Sequence, residues 1–258
     1  MRCGCEHGRT EEDAAFLAFA RAAGGDLDLL ADLHDREPSA AVVAALQSGP
    51  VAEQLGLHLY DSDSSAALQA FDNVIASLPR PVDEATLDEL ASGYADVYLR
   101  FTFRAAPAES VWMSEDNLER QAPMFEVREI YRRHGLRVTD WANRPDDHLV
   151  LELRFLAHLF GKARQPGELA PAAEFLDFHL LRWIDQFAAK LVRAGAPDWY
   201  AALSVLTTCY LKALRNHLGE LTGIAPPSDE ALAAAANRTA SYSQDETGPY
   251  LPGAEPSW

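Results

Sequence analysis

The residues best suited to chemistry lie at 144–148, where the sequence reads Arg-Pro-Asp-Asp-His before an apolar helical pattern that contains Glu152. His148 and Glu152 are four residues apart and therefore share one face of a helix. Asp146 or Asp147 can accept hydrogen bonds from the free amides at the start of that helix. The simpler interpretation is a capped helix with a surface His–Glu pair. The functional interpretation is a polar cluster that holds a peptide or a hinge.

A second group of residues combines aromatic side chains with a proline-containing segment. Tyr94, Tyr98 and Phe101 are spaced to lie on one side of a helix, an arrangement more typical of a core than of a binding surface. The following segment is predicted to be a loop and carries Pro107, Glu109, Ser110, Val111 and Trp112. A tryptophan in a loop often anchors a contact, so Trp112 is a candidate binding residue.

The remaining chemical signals are weak. Residues 3–7 read Cys-x-Cys-x-His, a possible tripod for a soft metal, but the spacing is unusual for zinc and no second cluster complements it. Motifs for dinucleotides, phosphate loops, serine hydrolases and zinc proteases are absent, so we predict neither an enzyme nor a bound cofactor. The alternative is a metal-dependent helical enzyme, which would use Cys3, Cys5, His7 or the scattered histidines His148, His158 and His179.

Composition limits the classes of partner. The chain has 258 residues, with 22 Lys and Arg against 39 Asp and Glu, a formal net charge of −17. This balance argues against nucleic acids and anionic membrane surfaces, which need clustered positive charge. The apolar stretch 199–211 would span only about 20 Å as a helix, too short to insert into a bilayer. The low cysteine count and the absence of a signal-peptide pattern predict a cytoplasmic protein.

Helical periodicity runs through nearly the whole chain, and no segment alternates apolar and polar residues as a strand does. The pattern predicts an all-α protein, a single helical domain of about nine helices. Gly24-Gly25 is predicted to end the first helix, and Asp83 is suited to cap the helix that carries the aromatic residues. Three glycines are predicted to follow later helix ends in the left-handed conformation, namely Gly161, Gly195 and Gly223.

The loop at 136–146 is the predicted hinge between two helical lobes. The N-terminal lobe spans 1–135, the C-terminal lobe spans 147–225, and the Ala-, Ser- and Pro-rich segment 226–258 is predicted to be a flexible tail. Exchange of lobes across a hinge is a route to dimers, so a monomer and a domain-swapped dimer are both open.

In order along the chain, these motifs resemble those of the TorD/DmsD family, the cytoplasmic chaperones of molybdenum-containing respiratory reductases. The strongest similarity is the Pro-x-Asp-His element at 145–148 with the apolar helix that follows it, although Arg144 stands where the family usually has Glu. The second is the aromatic helix with the Pro-x-x-Ser-Val-Trp segment at 107–112, and a weaker third lies at 175–187. Together they cover roughly residues 90–220, and the resemblance implies a TorD-like helical fold.

The resemblance implies binding rather than turnover. Family members recognise the twin-arginine leader of a reductase subunit, hold its apoprotein for insertion of the molybdenum cofactor, and prevent premature export. Apolar side chains would bury the middle of the leader, while Glu109, Asp147 and Glu152 would face its two arginines. The predicted peptide-binding residues are Tyr94, Tyr98, Phe101, Pro107, Glu109, Ser110, Val111, Trp112, Pro145, Asp147, His148 and Glu152.

Two further alternatives stay open at this point. A NarJ-type chaperone would mature a nitrate reductase that faces the cytosol and is not exported. A purely structural adaptor would bind neither a leader nor a metal. Guanine-nucleotide binding has been associated with the family, but the chain has no phosphate loop and we do not predict it.

Overall fold

A computed structural model of the chain describes residues 4–139 and 143–236, with only the backbone described for 4–10. Within these residues the fold is all-α, as the periodicity predicts, and its one β-type contact is an isolated antiparallel bridge between Ala108 and His148. No helix among them is long and apolar enough to cross a membrane.

The first seven helices precede the predicted hinge. Their bounds are α1 (Gly4–Asp35), α2 (Ala40–Leu46), α3 (Val51–Gln54), α4 (Ser62–Ser77), α5 (Glu84–Tyr94), α6 (Glu109–Met113) and α7 (Ala122–Arg133). Four more follow it, namely α8 (Leu149–Lys162), α9 (Ala170–Phe175), α10 (Leu181–Ala194) and α11 (Asp198–Thr222). Two π-helical turns, Ala95–Leu99 and Leu176–Leu180, continue α5 and join α9 to α10. Such turns are frequent at functional sites.

Local sequence signals fix several helix ends. Asp83 caps α5, because its carboxylate accepts a hydrogen bond from the backbone N–H of Thr86 at 2.8 Å. Gly195 and Gly223 end their helices with φ of +69° and +71°, which confirms the predicted left-handed caps. The prediction for Gly161 is wrong, since this residue lies inside α8.

The prediction that Gly24-Gly25 ends the first helix is also wrong, because α1 continues through both glycines. A Cβ atom on Gly24 would lie 3.5 Å from Cβ of Phe160, an ordinary contact distance, so this glycine lies on the face of α1 that packs on α8. The contact of α1 with α8 is the most extensive helix–helix contact of the described residues. The apolar surface that it buries outweighs the cost of about 1 kcal/mol for each glycine within the helix.

One hydrophobic core includes residues from both sides of the predicted hinge. It extends from Phe16 in α1 to Leu218 in α11, and α1 packs on α8 while α4 packs on α11. The two halves of the chain therefore interleave around a shared core. The hinge itself stays a prediction, and residues 140–142 lie outside the described residues.

The C-terminal segment is only partly described. Residues 229–236 are helical and Ala235 is buried, while the flexible tail at 226–258 stays a prediction. Residues 237–258 lie outside the described residues. Cys3 of the possible metal tripod does too, and nothing is described of the side chains of Cys5 and His7.

Candidate functional site

The structure places the two sequence motifs side by side. The backbone N–H of Glu109 donates to the carbonyl of Asp147 at 3.0 Å, and the N–H of Leu149 donates to the carbonyl of Pro107 at 2.8 Å. These two bonds flank the bridge between Ala108 and His148. The Pro-x-x-Ser-Val-Trp segment is thereby attached to the start of α8.

Residues 109–113 form α6, a single helical turn, where the sequence predicts a loop. The reason is a cap from a distant part of the chain. Asp147 Oδ2 accepts hydrogen bonds from the backbone N–H of Ser110 at 2.7 Å and from the Ser110 hydroxyl. A carboxylate at a helix start satisfies amides that have no partner within the helix. The Asp147 side chain thus stabilises α6, not α8.

The start of α8 is capped by His148 instead of an aspartate. His148 Nδ1 accepts a hydrogen bond from the backbone N–H of Val150 at 3.2 Å, which requires the neutral ring. Burial, helped by the positive charge of Arg144, lowers the pKa of His148 to about 3 and keeps it neutral. Asp146 is buried too and forms a two-pronged ion pair with Arg128 at 3.2 and 2.9 Å. The predicted cap by Asp146 or Asp147 is therefore wrong.

Asp147 belongs to a cluster of buried carboxyl groups. Glu109 is 1% exposed, and Asp147 and Glu152 are not exposed at all. Burial raises the pKa of Asp147 to about 7 despite its hydrogen bonds from Ser110. Burial also raises the pKa of Glu152 well above its ordinary value, and the nearby charges of Glu109 and Asp147 add to the effect. Both groups therefore hold protons more strongly than ordinary carboxyls.

One histidine and one tryptophan partner this cluster. Glu109 Oε2 accepts a hydrogen bond from His179 Nδ1 at 2.9 Å, and Glu152 Oε2 accepts one from Trp183 Nε1 at 3.3 Å. Burial disfavours the charged imidazole, but the charge of Glu109 outweighs it, so the pKa of His179 is raised. Asp147 Oδ1 and Glu152 Oε1 have no hydrogen-bond partner. No group of three or more His, Cys, Asp or Glu able to hold a metal occurs among the described residues.

A groove of about 810 Å³ lies beside this cluster. Five of the predicted peptide-binding residues line it, namely Tyr94, Tyr98, Phe101, Pro145 and His148. Seven do not, namely Pro107, Glu109, Ser110, Val111, Trp112, Asp147 and Glu152. The predicted set is therefore divided between an open groove and the segment and carboxyl cluster beside it.

The Trp112 side chain is occupied by the protein itself. Its Nε1 donates a hydrogen bond to the carbonyl of Ala106 at 2.8 Å, and its ring packs edge-on against Phe187 with centroids 6.5 Å apart. Trp112 and Val111 are only partly exposed. The anchor suggested by the sequence thus fixes α6 to α10 in this structure.

The aromatic wall of the groove is held by hydrogen bonds to α1. The rings of Tyr94 and Tyr98 stack with centroids 5.0 Å apart, and the hydroxyl of Tyr94 donates to the carbonyl of Asp35 at 2.5 Å. Tyr98 lies in the first π-helical turn and is hydrogen-bonded to the buried His34 at 2.5 Å, which contacts Thr207 of α11 at 2.8 Å. Tyr94 and Tyr98 are therefore fixed parts of the wall.

The sequence reasoning missed an ion-pair cluster at the groove. Arg144 and Arg154 both line the groove and both bind Asp35, and Arg154 also binds Asp32 at 3.0 Å. The exposed Leu99, at 64%, lines the same groove. Asp35 lies more than a hundred residues before Arg144, so no local spacing signals the pair. The only sequence signal was Arg144 itself, an unexpected cation beside the Pro-x-Asp-His element.

The two motifs are thus joined beside an aromatic groove in an all-helical fold. Comparison with known protein families identifies the class of protein that has this fold. The family model described as nitrate reductase delta subunit matches residues 59–189, just over half of the chain. The chain therefore belongs to the nitrate reductase delta subunit family.

Curated relatives carry the name chaperone protein TorD, which confirms the resemblance drawn from the motifs. The protein of that name from Vibrio cholerae serotype O1 is 29% identical over 169 residues, covering 62% of this chain and 76% of the relative. That from Escherichia coli O45:K1 is 28% identical over 182 residues, covering 69% of this chain and 86% of the relative. That from Vibrio atlanticus is 26% identical over 159 residues, covering 58% and 74%.

Proposed function

We propose that this chain is a cytoplasmic maturation chaperone for the catalytic subunit of a molybdopterin-dependent reductase. It binds the twin-arginine leader and the apoprotein, assists insertion of the cofactor and delays export, and it catalyses no reaction and carries no cofactor of its own. The observation that carries the proposal is the groove of about 810 Å³, which is lined by the aromatic residues Tyr94, Tyr98 and Phe101 and by the Pro-x-Asp-His element. The names of the relatives, all chaperones, support the same function.

The groove offers apolar surface suited to the middle segment of a leader. Leu99 is 64% exposed at the groove, and the partly exposed Phe101 adds aromatic surface to its lining. Because full burial of a leucine side chain is worth about 1.5–3 kcal/mol and about two thirds of Leu99 is exposed, a peptide that covers it gains roughly 1–2 kcal/mol. An amphipathic peptide in a groove is a common recognition mode.

Calorimetric titration with leader peptides tests the proposal. The unmodified chain is expected to bind a twin-arginine leader more tightly than its Lys-Lys version or a scrambled peptide. Leu99→Ser should weaken binding about tenfold, the equivalent of the lost burial. Val192→Ser is the matched control, because Val192 is 53% exposed on α10 and does not line the groove. Equal binding of leader and scrambled peptides would refute the function.

A second candidate is a NarJ-type chaperone of a reductase that is not exported. The description of the matching family model, a nitrate reductase delta subunit, favours it. Co-purification of the chain with a catalytic subunit that carries or lacks its leader separates the two. A leader chaperone loses most of the complex when the leader is removed, whereas an assembly chaperone of the second kind retains it.

A further inference from the structure

Two arginine side chains that line the groove converge on Asp35, which is not itself among the residues that line it. Arg144 contacts the Asp35 carboxylate through Nη1 and the Asp35 carbonyl through Nη2, the latter at 3.4 Å. Arg154 Nη2 lies 2.8 Å from Asp35 Oδ2 and 3.0 Å from Asp32 Oδ1. Both arginines line the groove, and they come from different elements, the loop before α8 and α8 itself. A pair of guanidinium groups therefore already occupies this end of the groove.

The end of α1 is well suited to guanidinium groups. Asp32 and Asp35 are three residues apart and lie in the last turn of α1, where the helix dipole adds partial negative charge. The carboxylate and carbonyl oxygens of Asp35 match the fork of an arginine better than the single ammonium of a lysine. The Asp32 side chain is 63% exposed, so it is accessible to a ligand in this structure.

A second and independent observation points to a polar ligand in the same groove. Tyr131 lines the groove and is only 4% exposed, yet its hydroxyl has no hydrogen-bond partner. A buried hydroxyl without a partner is uncommon, because the missing hydrogen bond costs roughly 1–3 kcal/mol. A peptide that enters the groove can supply that bond through a backbone group.

We propose that Asp32 and Asp35 are the subsite that recognises the arginine pair of a leader, and that Arg144 and Arg154 occupy it as an internal substitute until the leader displaces them. The inference rests on the proposed function, since it presumes that the groove binds a leader. Each guanidinium–carboxylate contact that breaks is replaced by one that forms, so the exchange conserves ion pairs. While Arg144 and Arg154 bind the two aspartates, the leader cannot bind there. The apparent affinity for the leader is therefore the intrinsic affinity multiplied by the fraction of molecules in which the subsite is free.

The distinctive consequence is that two substitutions in the groove strengthen binding. The double variant Arg144→Gln/Arg154→Gln should bind a twin-arginine leader peptide about threefold to tenfold more tightly, the range expected when two partly exposed ion pairs no longer compete. Arg133→Gln is the matched control, because Arg133 forms an ion pair with Glu129 at 3.2 Å, is 69% exposed, does not line the groove and contacts neither aspartate. Its affinity should equal that of the unmodified chain.

The complementary substitutions should weaken binding and remove the discrimination. Asp32→Asn/Asp35→Asn is expected to lower affinity about tenfold or more and to bind Arg-Arg and Lys-Lys peptides equally. Helical circular dichroism checks that each variant folds. If the double aspartate variant does not fold, the single variant Asp32→Asn, at the more exposed position, decides the point.

The outcomes separate the two proposals. If no leader binds the unmodified chain, the proposed function fails and this inference fails with it. If the leader binds but the arginine variants bind equally or more weakly, or the aspartate variants keep their preference for Arg-Arg, only the internal substitute is overturned.

Discussion

Replacement of Asp147 by asparagine should change how the stability of the protein depends on pH. Asp147 is not exposed at all, and its pKa rises from the ordinary 3.8 to about 7. Between these two values the folded chain holds a proton that the unfolded chain releases, so this residue lowers the stability as the pH rises. At 1.36 kcal/mol per pKa unit, the loss amounts to about 4 kcal/mol once the pH exceeds the folded value.

The substituted asparagine resembles the protonated carboxyl, because its side-chain oxygen can accept the two hydrogen bonds from Ser110 and it cannot ionise. The free energy of unfolding of the Asp147→Asn variant, minus that of the unmodified chain, should therefore increase by about 4 kcal/mol between about pH 4 and pH 8. Burial lowers the pKa values of His34 and His148 from the ordinary 6.5 to about 3. These two residues therefore lower the stability of the protein when the pH falls below 6.5. They are present in both proteins and cancel in the difference.

Urea denaturation followed by circular dichroism at half-unit pH steps and constant ionic strength measures this difference. Asp185→Asn is the control, because Asp185 is exposed and pairs with Lys212 at the surface. Its difference from the unmodified chain should change little with pH. A constant difference for Asp147→Asn across the whole range would refute the argument that burial holds a proton on this carboxyl.

Three further substitutions test the packing. Gly56→Ala should lower the free energy of unfolding by roughly 1–3 kcal/mol, because the new Cβ would lie 2.7 Å from Cβ of Ala22, as measured by urea denaturation. Gly25→Ala should raise it by about 0.5–1 kcal/mol, since nothing lies within 4 Å of the new Cβ and alanine favours the helix. Arg215→Met should lower it by roughly 3–5 kcal/mol in the same assay, because it leaves the buried Asp177 without the arginine that binds both of its oxygens at 2.8 and 2.7 Å.

Lys212→Met breaks an exposed ion pair with Asp185 and should change the stability by less than about 1 kcal/mol. An equally small effect of Arg215→Met would contradict its buried role. Equal effects of the two glycine substitutions would show that the contact of Gly56 with α1 is not tight.

Periodicity and local capping were sufficient to predict the helical fold. The pattern of apolar residues depends on neighbours three and four positions apart, which is why the all-α class follows from the sequence. Caps such as Asp83 act within one turn and are equally visible. The helix break at Gly24-Gly25 was predicted wrongly, because the contact of α1 with Phe160 depends on tertiary structure.

The site was harder to predict because its partners are distant in sequence. Ser110 and Asp147 are 37 residues apart, and Asp35 and Arg144 are 109 residues apart. The spacing of His148 and Glu152 suggests a surface pair, yet both are buried, since α8 packs on several sides. Spacing identifies which residues share a helix face, but the surroundings of that face are set by other parts of the chain.

Site-specific photo-crosslinking in the full chain tests the central claim most directly. Leu99→p-benzoylphenylalanine places a reactive group at the groove, and Val192→p-benzoylphenylalanine places one on an exposed part of α10 that does not line the groove. With a twin-arginine leader peptide of a molybdopterin-dependent reductase, crosslinking is expected at position 99, with competition by unlabelled leader, and not at position 192. Equal crosslinking at both positions, or none at position 99, would contradict the groove as the leader site.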